Sequence, residues 1–224
     1  YKVNIKNNFF EIGKNQSIEE LIDEHFPSSN IVAAKVDNKL VDLSHVISND
    51  SVIELVKSSD PDGLNIIRHT CAHVFGHAIK QMYPETKMVI GPTIENGFYY
   101  DIDSKTTISE KDLSGIESLM KKLAKKNYKI IREVVDRKKA TDIFQKRSED
   151  HKVALIKEIP EKDIIAIYHH EEYIDMCRGP HLTSTKYLNY FKLMKVSGSY
   201  LKGDSSQQQL QRIYGTAWDT KDGL

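Results

Sequence analysis

The sequence predicts an α+β protein, in which a small unit with a ubiquitin-like β-grasp fold precedes a larger unit of mixed helices and strands. Three observations support this prediction. The first 58 residues have the order strand, strand, helix, strand, strand; residues 58–63 are rich in turn formers; and helical and strand patterns alternate after them. A chain of 224 residues is long enough for two unequal domains. We therefore predict domains at residues 1–60 and 63–224.

Local patterns define the elements of the first unit. Residues 1–5 alternate with period two and are followed by a turn at Asn7-Asn8. Ser17 to Glu20 form a capping-box pattern, which predicts a short helix through Leu21 and Ile22. After a turn at residues 27–30, apolar runs predict strands at residues 31–36, 40–41 and 51–56, with a turn at Asp37-Asn38 between the first two.

The second unit has longer elements. A helix is predicted over residues 63–83, and two strands over residues 88–103, joined at Glu95-Asn96-Gly97. Ser109 to Asp112 cap a helix whose apolar face contains Leu113, Ile116, Met120 and Leu123. A strand at 128–135, a helix at 140–146 and a strand at 168–176 ending at Cys177 complete the prediction.

Composition excludes several classes of protein. Thirty-two basic residues balance thirty-two acidic ones, so any polyanion must bind to a local patch. Two cysteines are too few for a disulfide framework, which favours a reducing compartment. No stretch approaches the roughly 20 apolar residues of a membrane span, and no signal-peptide pattern is visible. We therefore expect a cytoplasmic or organellar protein that does not bind membranes.

Three histidines, His69, His73 and His77, recur every four residues and would lie on one face of the first long helix. A lone histidine is more often a solvated surface residue or a satisfied core residue than a ligand. Here, however, the histidine row lies about 150° from the centre of the apolar stripe of the same helix. We therefore predict that the row does not face the core, and that Gly76 beside it leaves room for another group to approach.

A second polar group lies near the end of a predicted strand, where Cys177 and His181 are four residues apart and flank a Gly-Pro turn. Such a cysteine is more often a small buried hydrophobe than a ligand. Together with two histidines of the helix, however, Cys177 and His181 have the number and type of ligands of a tetrahedral zinc site. They suit a metal-free acid-base pocket equally well, because imidazole exchanges protons near neutral pH.

Basic residues are concentrated between Lys121 and Lys139. A solvated helix face explains such a run as well as a track for RNA phosphates does. On the second interpretation, Lys152, Arg178 and Arg212 are candidates to extend the track.

Four stretches then carry a specific resemblance: residues 68–80, 91–101, 175–181 and 210–218. In this order and spacing they resemble the N-terminal half of bacterial-type threonyl-tRNA synthetases, over essentially the whole chain. The resemblance implies a TGS domain of β-grasp type at residues 1–60. It implies an editing domain at residues 63–224, ending where a linker would lead to an absent class II catalytic core. One departure is Ser199-Tyr200-Leu201, where the family commonly has Ala-Tyr-Trp.

The resemblance also implies a reaction. A synthetic pocket built for threonine admits serine, because the loss of one methyl group costs only about 1 to 3 kcal/mol of binding. The editing domain would therefore hydrolyse mischarged Ser-tRNA(Thr), and its partner would be the aminoacylated 3′ end of tRNA(Thr). The full-length protein would charge tRNA(Thr) with threonine using ATP, and would be a homodimer, whereas the fragment is compatible with a monomer.

Roles follow from the resemblance by motif position. His73 would orient or deprotonate the attacking water, Lys152 would stabilise the developing charge, and His77 would shape the pocket and its water network as a third catalytic residue. The substrate-binding residues would be Asp175, which takes the substrate ammonium, Cys177, His181 and Tyr99.

No metal cofactor is expected in this region, and ATP, magnesium and zinc would belong to the absent catalytic core. Zinc is nevertheless the alternative, because the related editing domain of alanyl-tRNA synthetase uses similar ligands. The zinc ligands would then be His73, His77, Cys177 and His181. Two other functions stay open: a zinc-dependent hydrolase of another small ester or amide, and a non-catalytic RNA-binding module.

Overall fold

A computed structural model describes residues 1–26 and 30–224, so the turn predicted at residues 27–30 lies largely outside the described residues. Helices and strands are mixed along the chain, which confirms the α+β class. Among the helices formed by the described residues, none combines the length and the apolar character needed to cross a membrane.

The first unit has the predicted β-grasp arrangement. Its elements are β1 (Lys2–Ile5), β2 (Asn8–Glu11), α1 (Ile18–His25), β3 (Ile31–Val36), β4 (Lys39–Val41) and β5 (Ser51–Lys57). The sheet order is β2-β1-β5-β3-β4, with β1 and β5 parallel at its centre. The capping box is confirmed, because the Ser17 hydroxyl accepts from the Glu20 amide and the Glu20 carboxylate accepts from the Ser17 amide.

The core continues from the first unit into the second. One face of the β-grasp sheet packs on α1, with Val3, Ile5 and Leu21 buried between them. Val32 and Val56 join a second core that contains the next helix. Only three residues separate β5 from that helix. The boundary at residues 58–63 therefore coincides with a short connection between packed units, and the domain limits stay a prediction.

The second unit contains the remaining elements. They are α2 (Pro61–Met82), β6 (Lys87–Ile90), β7 (Thr93–Ile94), β8 (Gly97–Asp103), α3 (Leu113–Lys125), β9 (Ile131–Val135), α4 (Arg137–Lys146), α5 (Asp150–Glu158), β10 (Ile165–His170), β11 (Tyr173–Met176), β12 (Tyr190–Tyr200) and β13 (Gln209–Trp218). One sheet has the order β12-β13-β8-β6, with β7 paired to β8, and the other has the order β11-β10-β9.

Several predicted elements need correction. The single strand predicted at residues 168–176 is the hairpin β10-β11, which turns at Glu171-Glu172. Glu171 adopts a left-handed φ of 52°. Gly or Asn usually occupies such a position, so a glutamate there does not indicate a turn in the sequence. The strand predicted from residue 128 begins at Ile131, and the two strands predicted over residues 88–103 are three. The elements α5, β12 and β13 were not predicted.

Helix α2 is packed on both faces. Its apolar stripe, including Cys71, Val74 and Phe75, is buried as predicted, except for Met82 at the end of the helix, which is exposed. However, His73 and His77 are also buried, with exposed fractions of 3% and 0%. The prediction that the histidine row does not pack is therefore wrong. The reason is that polar and aromatic side chains from β11 and from the segment after it cover the row.

Candidate active site

Four side chains from two segments form what we call the His/Cys cluster: His69 and His73 of α2, and Cys177 and His181 of the segment after β11. The ring centroids of His69 and His73 lie 4.2 and 4.1 Å from that of His181. The Cys177 sulfur lies 3.1 Å from His181 Nε2. One potential ligand atom from each residue lies within 4.8 Å of all the others.

The cluster contains His69 and excludes His77, which corrects the ligand set predicted from the sequence. His77 lies one helical turn further along α2, where its Nε2 is 2.7 Å from a Glu172 carboxylate oxygen. The i, i+4 row contains two equivalent pairs, His69/His73 and His73/His77, so helical spacing alone cannot identify which pair meets Cys177. The pair that meets Cys177 is determined by where along α2 the segment after β11 packs.

The first unit helps to hold in place the segment from Cys177 to His181, which we call the cysteine segment. The backbone amide of His181 donates to the Asp42 carboxylate at 2.8 Å, and the Tyr168 hydroxyl donates to the same carboxylate at 2.7 Å. On the other side, Thr70 Oγ1 lies 3.1 Å from His181 Nδ1 and accepts from the Leu182 amide at 3.1 Å. The His181 ring is therefore fixed from α2 and its backbone from the β-grasp unit.

Gly179 makes this tight segment possible. Its φ of +68° lies in the left-handed region, and a Cβ atom there would be 1.9 Å from the Tyr168 hydroxyl oxygen. Any other residue would displace Tyr168, which supports Asp42 and through it His181. The Gly-Pro pair was visible in the sequence, but its contact with Tyr168 was not.

A buried charged network adjoins the cluster. Lys152 of α5 donates to Asp175 of β11 at 2.6 Å. The same carboxylate accepts from the hydroxyls of Tyr100 and Tyr173, at 2.6 and 3.2 Å, and from the Met176 amide at 2.7 Å. Nε2 of His73 lies 3.7 Å from it. This contact joins the His/Cys cluster to the network.

Burial and charge set the protonation states of the site. Burial lowers the pKa of His73 and of His181 well below the usual value, and neighbouring imidazoles add to the effect. Burial also raises the pKa of the Cys177 thiol. Burial alone would raise the pKa of Asp175, but the Lys152 ammonium and hydrogen bonds from Lys152 and Tyr100 bring it below its usual value. The site therefore combines neutral imidazoles and a thiol with a buried ion pair.

The structure replaces Tyr99 by Tyr100 at the site. Successive residues of a strand point to opposite faces of the sheet, and Tyr100 of β8 faces Phe75 and Asp175. Tyr99 points to the other face, where the Arg212 guanidinium lies 3.8 Å from its ring centre. The substrate-binding role predicted for Tyr99 therefore lacks the necessary geometry. Tyr99 and Tyr100 are adjacent in the strand and point to opposite faces, and the motif did not indicate which of the two faces the site.

The basic residues of the predicted phosphate track have different environments in the structure. Lys152 is buried against Asp175, and Arg212 makes a bidentate pair with Asp101, so neither extends an exposed track. Arg178 is exposed. Lys121 pairs with Glu117 one turn earlier on α3.

A second group of side chains, which we call the His77 cluster, lies one turn further along α2. It contains His77, His170, Glu172 and Tyr173. The His77 ring is stacked on Tyr173 at 5.7 Å and lies 5.0 Å from His170. Burial lowers the pKa of His170 to about 3. The space that Gly76 was predicted to leave is filled by Tyr173, whose hydroxyl oxygen would be 2.1 Å from a Cβ atom at that position.

The donor set of the His/Cys cluster fits zinc. Three imidazoles and one thiol are the borderline-soft ligands that zinc prefers. Nδ1 of His73 is buried and has no hydrogen-bond partner in the part of the chain that the structure describes. The Thr70 hydroxyl on His181 Nδ1 is the kind of outer hydrogen bond that usually fixes a metal-bound imidazole. Without a metal, the same neutral imidazoles are suited to accept a proton from water.

Comparisons with known proteins identify a matching domain family and similar proteins. The family described as "Threonyl and Alanyl tRNA synthetase second additional domain" matches residues 165–214, a stretch that contains β10, β11 and the cysteine segment. The "Threonine--tRNA ligase" of Prochlorococcus marinus (strain MIT 9211) is 52% identical over 197 residues, which are 88% of this chain and 31% of the relative. That of Psychrobacter cryohalolentis is 50% identical over 193 residues, 86% of this chain and 30% of the relative.

The chain is a homologue of threonine-tRNA ligases. It spans about a third of the length of these relatives. These relatives are named as tRNA ligases, the class of protein that the sequence motifs resemble. Within the matched domain lie Asp175, Cys177 and His181, while Lys152 and the α2 histidines lie outside it.

Proposed function

We propose that the His/Cys cluster and the adjoining ion pair hydrolyse the ester that joins an amino acid to the 3′-terminal ribose of a tRNA, with Ser-tRNA(Thr) as the substrate. The observation that carries the proposal is the convergence of His73, His181 and the buried Lys152–Asp175 pair. Homology to threonine-tRNA ligases supports tRNA(Thr) as the partner.

In this proposal, His73 acts as the general base. Its lowered pKa keeps the imidazole neutral at physiological pH. Its buried Nδ1 makes no hydrogen bond to residues 1–26 and 30–224, so this nitrogen would take the proton from a water that enters the cluster. Water attacks the ester carbonyl carbon as its proton moves to His73. The bond between that carbon and the ribose oxygen then breaks, and the proton passes to the ribose oxygen. The products are serine and tRNA with a free 3′ end.

Lys152 supplies the positive charge that stabilises the oxyanion formed during this attack. Asp175 positions the Lys152 ammonium, because its carboxylate already accepts four hydrogen bonds within the protein. A carboxylate has about four lone-pair sites. The contact between Asp175 and the substrate ammonium, expected from the resemblance, would therefore require displacement of the Tyr173 hydroxyl, which makes the longest of these contacts at 3.2 Å.

The remaining cluster residues form the wall of the pocket. Cys177 and His181 keep their proposed substrate-binding role, and His69 takes the position beside them that was expected for His77. Burial raises the pKa of the Cys177 thiol, which favours a contact role over attack by a thiolate. Tyr100, in the place expected for Tyr99, hydrogen-bonds Asp175 and thereby positions Lys152.

Substrate choice tests the proposal directly. We expect release of serine from Ser-tRNA(Thr) and little release of threonine from Thr-tRNA(Thr), because a pocket too tight for the additional methyl group excludes threonine. Initial rates with radiolabelled amino acids at equal substrate concentration measure this ratio. Equal rates on both substrates would contradict the proposed specificity, and no release from either would remove the activity.

A zinc-dependent hydrolase of another small ester or amide is the second candidate, favoured by the four ligand atoms within 4.8 Å of one another. Zinc held by three of His69, His73, Cys177 and His181 would keep a fourth position open, where it would act as a Lewis acid and lower the pKa of a bound water. Metal analysis of the purified protein, with and without chelator, distinguishes the candidates. Stoichiometric zinc, with activity lost on chelation and restored by zinc, would replace the metal-free proposal.

Other expectations concern the full-length protein. ATP-dependent charging of tRNA(Thr), its magnesium and zinc requirement and its dimerisation are proposals for a protein that includes the remaining two thirds of the relatives' length. A cytoplasmic or organellar location stays a prediction. The non-catalytic RNA-binding alternative would be favoured by tight tRNA binding without hydrolysis.

A further inference from the structure

Helix α5, which carries Lys152, connects the two sheets of the second unit. Its apolar residues Val153 and Ile156 pack in a core with residues of β9 and β10. The start of the helix instead contacts β6, in the other sheet. Lys152 lies in the first turn, and its ammonium donates to Asp175 of β11 at 2.6 Å. The position of this ammonium therefore depends on how the start of α5 is held.

Glu149, the residue immediately before α5, is buried, with an exposed fraction of 4%. Its Oε1 lies 2.8 Å from the ammonium of Lys80, near the end of α2. Its Oε2 accepts from the backbone amide of Met88 in β6 at 2.9 Å. Lys80 also donates to the Thr86 carbonyl, at 2.8 Å, in the connection between α2 and β6. The two carboxylate oxygens of Glu149 thus attach the start of α5 to both α2 and β6.

The next two residues make contacts of a different kind. The Asp150 carboxylate pairs with Lys87, but the two side chains are 73% and 33% exposed. His151 Nε2 lies 3.0 Å from the carboxylate of Asp103 in β8. Solvent and salt screen an exposed pair, whereas a buried pair is screened much less. Of the two carboxylate–lysine pairs at the start of α5, the pair of Glu149 should therefore contribute more to the position of the helix.

Glu149 is directly coupled to Lys152 through the backbone. The Lys152 amide donates to the Glu149 carbonyl at 3.0 Å, within one helical turn. A shift of Glu149 would therefore move Lys152 with it. Stabilisation of an oxyanion requires a positive charge held in place before the reaction begins, and a misplacement of about 1 Å can lower a rate by about 10²-fold. Glu149 can thus affect the reaction without contacting the substrate.

We propose that Glu149 is a positioning residue for Lys152. Paired with Lys80, it fixes the first turn of α5 so that the Lys152 ammonium faces the oxyanion formed during hydrolysis. This inference rests on the proposed function for the reaction itself. The oxyanion exists only in the transition state and the intermediate, so loss of the pair should lower kcat and leave KM nearly unchanged.

The test uses the whole chain and three variants. Glu149→Gln keeps the size of the side chain and an oxygen that can accept from the Met88 amide, but it removes the charge that faces Lys80. Lys80→Met removes the same pair from the other side. Asp150→Asn is the matched control, because it makes the same acid-to-amide change one residue later, in the exposed pair. Urea denaturation gives the folded fraction of each variant, and rates are expressed per folded molecule.

Kinetics with Ser-tRNA(Thr) provide the first measurement. We expect Glu149→Gln to lower kcat at least about tenfold and to change KM less than about twofold. Lys80→Met should lower kcat by a comparable factor. Asp150→Asn should leave both quantities within about twofold of wild type, since its pair is screened. Equal losses of kcat in Glu149→Gln and Asp150→Asn would refute the inference, and so would a rise in KM with kcat unaltered.

The reactivity of Lys152 provides a second measurement, which requires no hydrolysis. Brief acetylation with acetic anhydride, followed by mass spectrometry, compares Lys152 with Lys157, an exposed lysine of the same helix. In the wild type Lys152 should react far more slowly, because its ammonium is buried and paired with Asp175. Glu149→Gln should raise the ratio of Lys152 to Lys157 acetylation at least about tenfold, because local opening of the first turn exposes the amine. Asp150→Asn should leave this ratio unchanged.

The two measurements together identify how Glu149 acts. A lower kcat without a change in Lys152 reactivity would overturn the inference, because Glu149 would then act through another group. Greater Lys152 reactivity with kcat unaltered would also overturn it, because the position of Lys152 would not limit the reaction. If the wild type releases no serine, the proposed function fails, and the acetylation ratio alone decides whether Glu149 holds Lys152 in place.

Discussion

Two groups of histidines lie one turn apart on the same face of α2, and they are built differently. The His/Cys cluster places three imidazoles and a thiol together, beside an Asp175 carboxylate that is 2% exposed. The His77 cluster pairs a buried imidazole with Glu172, whose side chain is 61% exposed. In the first, the polar atoms face one another, whereas in the second, Glu172 faces solvent.

The difference teaches that the partner segment, and not the helix, determines what each histidine can do. His73 and His77 have the same residue type, the same helical face and almost the same burial. His73 meets the segment after β11, which carries Cys177 and His181, while His77 meets the β10-β11 turn. We therefore expect substitutions at equivalent positions to affect different properties of the protein.

His73→Ala should have the largest effect. Removal of a general base lowers the rate of the chemical step by about 10²- to 10⁴-fold. Single-turnover release of serine from Ser-tRNA(Thr) measures this loss, and urea unfolding of the same variant checks that it folds.

His77→Ala is the matched control, on the same helix face and equally buried. We expect its deacylation rate to fall less than about tenfold, because loss of a residue outside the reacting groups removes no proton-transfer step. Comparable losses in the two variants would erase the distinction between the clusters.

Lys152→Met should have the next largest effect, on the free energy of unfolding. The substitution retains much of the side-chain volume but leaves Asp175 as a buried charge without its partner, which costs about 3 to 5 kcal/mol. Urea denaturation monitored by circular dichroism measures the change.

Two controls identify its cause. The double variant Lys152→Met/Asp175→Asn should regain much of the lost stability, because the unpaired charge is gone. Lys157→Met, at an exposed position of the same helix, should change the free energy of unfolding by less than about 0.5 kcal/mol. A stable Lys152→Met single variant would show that the pair contributes little to folding.

Much of the fold could be predicted because its signals are local. The capping box at Ser17, the Asp37-Asn38 turn and the apolar stripe of α2 each depend on neighbours in sequence, and the structure confirms all three. The β10-β11 hairpin escaped prediction because Glu171 is an unusual residue for its left-handed turn position.

The site was harder to predict because its geometry depends on contacts across the chain. The sequence indicated His73, Cys177, His181, Lys152 and Asp175, and the structure brings these five together. It indicated His77 where the structure places His69, because the two are equivalent in helical spacing. It indicated Tyr99 where the structure places Tyr100, because adjacent strand residues differ only in strand phase. The support from Asp42 and Tyr168 involves separations of more than 120 residues.

Gly76→Ala tests how closely the two segments pack on α2. The added Cβ would lie 2.1 Å from the Tyr173 hydroxyl, and overpacking of a buried site costs about 1 to 3 kcal/mol. Gly115→Ala on α3 is the control. There the nearest atom outside the helix would be 3.9 Å away, and a Gly-to-Ala change in a helix should stabilise the protein by about 0.5 to 1 kcal/mol. Destabilisation of both variants would contradict the close contact between Gly76 and Tyr173.

The smallest effect is expected at Glu172, the carboxylate of the His77 cluster. Glu172→Gln removes a charge that solvent already screens, so the free energy of unfolding should change by less than about 1 kcal/mol. The glutamine can still hydrogen-bond the His77 ring, so deacylation should stay within about threefold of wild type. The corresponding acid-to-amide substitution Asp175→Asn removes the buried charged partner of Lys152. It should reduce both stability and activity far more than Glu172→Gln does. If the two amide variants behave alike in urea denaturation and in serine release, the exposure of the carboxylate is not what separates the two clusters.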